Sequence, residues 1–222
     1  MTTAAEPKAD HRLLRGQETR RILMRAAEKL IGDKGLEQVK IREILNEAQQ
    51  NNASALQYHF GNLKGLIAAI HAERSEQLRT QRARAMDALM AKVPEPNLHQ
   101  LCAMIIHPGF ELARTRPDFR NYLRAFGLQL VVVDTSAASA AFRKGGGGGP
   151  SGIELGRLLR EALPHLSEKA FRQRMDFAVR LCASAMYNQA RGPKAFQGEQ
   201  AEFFVSGLVD ALVGLLSAEE SR

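Results

Sequence analysis

The chain has 222 residues, a hydrophobic content of 45% and a formal net charge of +7. That length suits one sizeable domain or a small domain joined to a larger one, and that much apolar content excludes general disorder. Apolar runs such as Leu128–Val133, interrupted by Gln129, fall far short of the ~20 residues that span a bilayer.

No membrane span or secretory leader is expected, because residues 1–21 are polar and charged and lack an apolar core. Two cysteines, Cys102 and Cys182, lie in helical apolar contexts and read as buried reduced thiols rather than a disulfide. A cytoplasmic protein is the simplest expectation. The charge is unevenly placed, with fifteen Lys and Arg against ten Asp and Glu through Arg84, and sixteen against fourteen thereafter. A basic segment attracts polyanions, and salt weakens that attraction. A plain solvated basic face is the alternative.

The apolar periodicity is helical almost throughout, so an all-α fold is predicted. Residues 1–11 read as a tail. A first helix runs from about Gln17 to Lys34, with Ile22, Leu23, Ala26, Ala27, Leu30 and Ile31 on one stripe, and Gly35 takes the C-cap. Val39 and Ile41 return to the core, and a second short helix covers Ile41–Ala48, burying Ile44 and Leu45. Gln49-Gln50-Asn51-Asn52 makes a polar turn ending in a helix cap. The third helix is Ala53–Phe60, stopped by Gly61-Asn62.

A long fourth helix, about Leu63–Ala91, is polar from Glu73 to Arg84 and reads as a solvent-exposed strut. Pro94 and Pro96 end that unit. Helices then follow at about Leu98–Arg114, bent near Pro108-Gly109, and from Pro117 to about Val133. Residues 134–152 read as loop, and the Gly145–Gly149 run as a flexible connection. It lacks the Gly-Lys-Ser/Thr ending of a phosphate loop. Three more helices cover Ile153–Leu163, Ser167 to Ala190, and Glu199–Leu216.

Two short helices joined by a tight polar turn make a helix-turn-helix, whose second helix enters the DNA major groove. Ala53, Leu56 and Phe60 are expected to face the bundle. Ser54, Gln57 and Tyr58 then face outward, without a carboxylate among them. Asn and Gln pair bidentately with adenine, while Tyr and Ser donate to phosphate oxygens.

The order T-R-R-I-L-x-x-A-A-E-x-L over 19–30, Gly35, Ile41-Arg42-Glu43-Ile44, Leu56-Gln57-Tyr58-His59-Phe60-Gly61 and then Leu66 resembles the tetracycline-repressor (TetR) family. The match is specific over residues 19–67. Three departures stand out: Gln49–Asn52 replaces the family's Gly-Val-Ser turn, Lys40 stands where Thr or Ser caps, and Lys64 falls one place later than the family's lysine.

The resemblance implies a three-helix DNA-binding domain at 12–63 and a helical ligand-binding and dimerisation domain at 64–222. It places Asn51, Asn52, Ser54 and Gln57 near base edges, and Lys40, Arg42, Tyr58, His59 and Lys64 on the DNA backbone. A structural pair packing the third helix is the alternative for Tyr58 and His59. Arg12, Arg15, Arg20 and Arg21 form either a basic arm or a solvated tail.

The last helix carries two apolar stripes, Phe204/Leu208/Ala211/Leu215 and Val205/Val209/Leu212/Leu216. The helix before it offers Phe171, Met175, Ala178, Cys182 and Ala185. Two stripes want two partners, and a second copy of the chain is the usual second one. Candidate lining for a small, largely apolar effector is Met104, Phe110, Phe126, Leu130, Met186 and Tyr187, with Ile105, Tyr122 and Phe177. Cys102, His107 and Cys182 are possible polar handles. No cofactor, metal site or enzymatic constellation is read from the residues. The expected function is a ligand-responsive regulator, most simply a repressor, binding a palindromic operator as a homodimer. A basic helical protein that coats DNA without effector control is the other reading.

Overall fold

A computed structural model describes residues 7–50, 52, 54–132 and 148–220, with side chains from residue 14 onward and not for 130–132. Among the described residues the chain is all-helical and contains no strand. The helices are α1 (Pro7–Lys34), α2 (Ile41–Glu47), α3 (Ala55–Phe60), α4 (Leu63–Lys92), α5 (Leu98–Thr115), α6 (Pro117–Val132), α7 (Gly149–Ala162), α8 (Glu168–Ala190) and α9 (Gly198–Ser217), with a 3-10 turn at Leu36–Gln38. The chain divides into two compact units, Met1–Glu73 and Arg74–Arg222.

In the first unit, α1 begins ten residues earlier than its apolar stripe suggests. Pro7 opens it at a position where the missing N–H costs nothing. Leu23, Met24, Ala26, Ala27 and Ile31 are buried, while Ile22 and Leu30 are half-buried. Val39 is buried as expected, but Ile41, at the first position of α2, is 41% exposed although its spacing puts it on the face of Ile44 and Leu45. Leu66 and Ile70, in the first turns of α4, are fully buried. The unit therefore ends at Glu73 rather than 63, since those two side chains complete its core. Glu28, also fully buried, accepts from Arg25 at 2.6 Å, and Arg25 also bonds Glu73. A buried carboxylate needs such a partner.

In the second unit, α6 packs most extensively on α8, and α9 on α5 and α8. Phe110, Phe126, Phe196, Leu159, Leu212 and Leu216 are at most 1% exposed. Two helices approach closely at Gly127, where a Cβ would stand 2.8 Å from Tyr187 Cβ.

The polar middle of α4 is not a solvated strut. Arg74 is 1% exposed and Arg82 7%. Arg74 Nη1 donates to Asp118 Oδ2 (2.9 Å) and Gln77 Oε1 (2.8 Å), Nη2 donates to the Asp118 carbonyl (3.1 Å), and Phe119 and Tyr122 lie under the guanidinium. A long aliphatic stem with a satisfied polar head is what lets an arginine enter a core.

Helix α7 starts at Gly149, four residues before the expected Ile153, with Pro150 in its first turn. The end of the glycine run is thus helical, whereas Gly145, Gly146 and Gly147 lie outside the described residues. Ser167 caps α8 by accepting from the Ala170 N–H at 3.2 Å. Cys102 and Cys182 are both free and buried. Burial pushes their thiols up to about 11 and about 12, so neither is a reactive thiolate. Helix α9 is long and apolar enough to cross a membrane by length and composition alone, with 33% of that window buried inside the protein.

Candidate nucleic-acid interface

The α2–turn–α3 segment is built by its hydrogen bonds. Glu43 closes the start of α2, its carboxylate accepting from the Lys40 N–H at 2.8 Å and from Lys34 Nζ at 2.5 Å. At the other end the Gln50 N–H donates to the Leu45 carbonyl (2.9 Å) and the Gln49 N–H to that of Asn46 (3.0 Å). This is a Schellman ending, with Gln49 at φ +52 in the left-handed position that glycine usually fills.

Asn52 then makes an Asx turn into the next helix, whose N-cap position is Ser54, with no side-chain cap. Its Oδ1 accepts from the Ser54 N–H at 2.9 Å, and its carbonyl accepts from the Ala55 N–H at 3.0 Å. The short side-chain loop competes with the backbone ladder and delays α3 to Ala55, two residues after the expected start. Gly61, at φ +75, turns the chain out of α3, and Asn62 Oδ1 caps α4 by accepting from the Gly65 N–H at 2.9 Å. Gly65 has no room for a side chain: a Cβ there would stand 2.0 Å from the Phe60 carbonyl oxygen.

Ala55 and Leu56 turn inward at 6% and 2% exposure, and α3 packs against both α1 and α2. Phe60 is half-buried, with the Arg20 guanidinium 5.2 Å from its ring centre. Residue 53 lies outside the described residues, so the inward stripe rests on Ala55, Leu56 and Phe60. Ser54, Gln57 and Tyr58 are exposed, Tyr58 at 82%, and their spacing puts them on one helical face.

Lys40, Arg42, Asn52 and Lys64 are exposed as well, whereas Asn51 lies outside the described residues. Tyr58 and His59 take different roles. Tyr58 points to solvent and meets His59 edge-on at 4.9 Å, while His59 is half-buried with α1 passing near its ring at Gly16. Burial, and then the charge of Arg20, lower the His59 pKa below its ordinary value. His59 thus packs the helix and Tyr58 remains outward. Two arginines of the supposed arm are also held on the protein, Arg20 over Phe60 and Arg21 on Glu18 at 2.7 Å. The side chain of Arg12 lies outside the described residues.

No acidic residue lies between Ala48 and Ile70, and the exposed cations Lys40, Arg42 and Lys64 flank α3 in sequence, the first two beside Glu37, Glu43 and Glu47. Amides and hydroxyls on an α3 face without a carboxylate suit base edges and phosphates.

The residues expected around an effector are largely packed against one another. Phe110 (1% exposed) meets Phe196 edge-on at 5.7 Å, Phe126 (fully buried) lies 5.5 Å from Tyr122, and Met186 (4%) reaches Gly109. Tyr187 is half-buried against Gly127 and under Arg191, Met104 is half-buried, and the Leu130 side chain lies outside the described residues. None of these lines the open cavity of about 220 Å³ at Arg120, Asn121, Arg124, Ala190 and Gly192. Phe177, another expected lining residue, is 47% exposed and faces out.

Of the residues expected at a dimer seam, Ala178 and Cys182 are buried inside the chain, and the exposed large apolar side chains of the last two helices are Phe177, Leu181 (36%) and Phe203 (81%). Among the described residues no group of His, Cys, Asp or Glu could hold a metal ion. Compared with known proteins, the chain matches no family model and no curated protein.

Proposed function

We propose that this chain is a DNA-binding transcriptional regulator of the tetracycline-repressor type, acting as a homodimer on a palindromic operator and released by a small-molecule effector. The observation that carries this reading is the outer face of α3. Ser54, Gln57 and Tyr58 stand exposed at the start and along a six-residue helix fixed by Leu56, Ala55, the Asn52 turn before it and the Gly61 turn after it, with no carboxylate on it. Rigid placement matters because a bidentate Gln–adenine pair discriminates only when the side chain is aimed.

In this reading Gln57, Ser54 and Asn52 read bases, while Tyr58, Lys40, Arg42 and Lys64 hold phosphates and set register. Homodimerisation is supported by Phe203, Phe177 and Leu181, whose exposure on α9 and α8 leaves apolar area for another protomer to cover. Two copies present two reading helices, which fits half-sites about one DNA turn apart. Repression is the simplest outcome of operator occupancy, and an effector favouring the unbound state relieves it.

The test is a selection over random duplexes with the full chain. The reading expects a palindromic motif, bound at least a hundredfold more tightly than a scrambled duplex at the same salt. Equal binding to all duplexes would instead assign the chain to general DNA coating.

A further inference from the structure

Among the described residues of the second unit, Arg82 is a cation that burial and bonding leave in conflict. It is 7% exposed, and its Nε and Nη1 are buried without any hydrogen-bond partner. Carboxylates near it in sequence or on α7 are engaged or exposed: Glu76 pairs with Arg79, Glu154 with Arg157, and Asp87 faces solvent. An arginine does not escape by losing its proton, so the charge stays. Leaving an ion so desolvated and unpaired costs several kcal/mol.

The surroundings make the conflict sharper. Arg82 Nη1 lies against the first turn of α7, where a Cβ on Gly148 or Gly152 would stand 3.4 or 3.3 Å away. The first intrahelical bond of α7 runs from the Gly152 N–H to the Gly148 carbonyl at 3.1 Å. That leaves the N–H groups of Gly149 and Ser151 outside the ladder, Pro150 having none, and no side chain caps the helix. This 14-residue helix therefore turns the positive end of its dipole toward a buried guanidinium. Two positive potentials converge there, and among the described residues Nε and Nη1 of Arg82 meet no acceptor. Glycines at 148, 149 and 152 allow close approach there: a Cβ on Gly148 would stand 2.7 Å from Gly152 Cα, and one on Gly149 3.0 Å from Arg79 Cδ.

We infer that Arg82 and the first turn of α7, at Gly148–Gly152, bind the oxyanion group, carboxylate or phosphate, of a small-molecule ligand. The inference rests on the regulator reading only in calling that ligand the effector; the site itself stands on Arg82 and α7. It alters the expected ligand from largely apolar to amphiphilic, with an anionic head on this site. A guanidinium fork and free N–H groups match oxyanion geometry, and neither offers anything to a cation.

The experiment uses the full chain at fixed ionic strength, held with chloride, and measures thermal midpoint and calorimetric Kd. The probes are inorganic phosphate, octanoate and the neutral octanol. The expected result is a saturable rise in midpoint with phosphate or octanoate and none with octanol. Response to octanoate but not phosphate identifies a carboxylate on an apolar tail, and response to phosphate identifies a phosphate head or the free ion.

Arg82→Met and Arg82→Gln are both expected to weaken anion binding at least tenfold without lowering the anion-free midpoint, since each removes an unpaired buried charge. The inference is overturned if neither anion shifts the wild type, or if both shift the variants as much. Duplex selection on the same preparations separates the two claims. A protein that enriches an operator yet ignores both anions loses this site alone. One that binds anions through Arg82 yet enriches no operator keeps the site and loses the regulator reading.

Discussion

Replacing Asp118 by Asn isolates the ion pair that carries the buried end of Arg74. The carboxylate meets Arg74 Nη1 at 2.9 Å and Arg116 Nη2 at 3.1 Å, and sits in the first turn of α6, where negative charge is favoured. Burial alone would raise its pKa, but the hydrogen bonds and charge of Arg74, then those of Arg116, outweigh it and hold the carboxyl at about 2.

Against an ordinary value of 3.8, that depression is worth about 2 kcal/mol of folding stability at neutral pH. Removing one partner of a buried pair costs about 3–5 kcal/mol, and Asp118, at 26% side-chain exposure, lies toward the lower side of that range. We therefore expect Asp118→Asn to cost about 2–4 kcal/mol at pH 7 by chemical denaturation.

The sign with pH follows from the depressed value. The stabilisation is whole above the unfolded pKa near 3.8 and is lost as pH falls through about 2, so wild type and variant converge on acidification. About half the difference should be gone by pH 3. A variant losing less than about 0.5 kcal/mol, or a gap unchanged between pH 6 and pH 3, would refute the reasoning.

Other expectations are independent of that pair. Gln49→Gly relieves a left-handed residue worth about 1–2 kcal/mol, offset in part by the freer unfolded chain, so a net gain of about 0.5–1 kcal/mol and a slightly higher thermal midpoint are expected. Gly65→Ala drives a Cβ onto the Phe60 carbonyl and should cost about 1–3 kcal/mol or more in the same melt. Phe203→Glu puts a charge on the most exposed apolar side chain of α9; if the proposed homodimer forms through this face, sedimentation should report a dimer for the wild type and a monomer for the variant, with unchanged helical signal.

Much of the first unit was legible because its signals are local. A stripe through Leu23, Ala26, Ala27 and Ile31, a glycine at 35 and the pair Gly61-Asn62 specify helix, stop and cap without any knowledge of the partner. Ile44, Leu45 and Leu56 followed from the same periodicity.

Arginine defeats that method, since Arg74 and Arg82 read as solvent-facing in a run from Glu73 to Arg84 and are buried by partners far along the chain. The glycine run misled for a related reason: propensity argues against a helix start at Gly149, but the fold overrides it. Phe203 was missed because it lies on neither expected stripe; packing against α5 and α8 buries Val205, Leu208, Val209, Leu212 and Leu216 from both stripes and leaves Phe203 outside. In the candidate interface, the types of Gln57 and Tyr58 were readable, whereas the inward role of His59 depended on the path of α1 near Gly16.

The central claim, that the outer face of α3 reads DNA sequence, is tested most directly by titrating wild type and Gln57→Ala on the selected duplex and on its scramble across a range of salt. The account predicts that Gln57→Ala loses about 1–3 kcal/mol on the selected duplex only, with the salt slope unchanged because no phosphate contact is removed. Equal loss on both duplexes, or no loss on either, would contradict it.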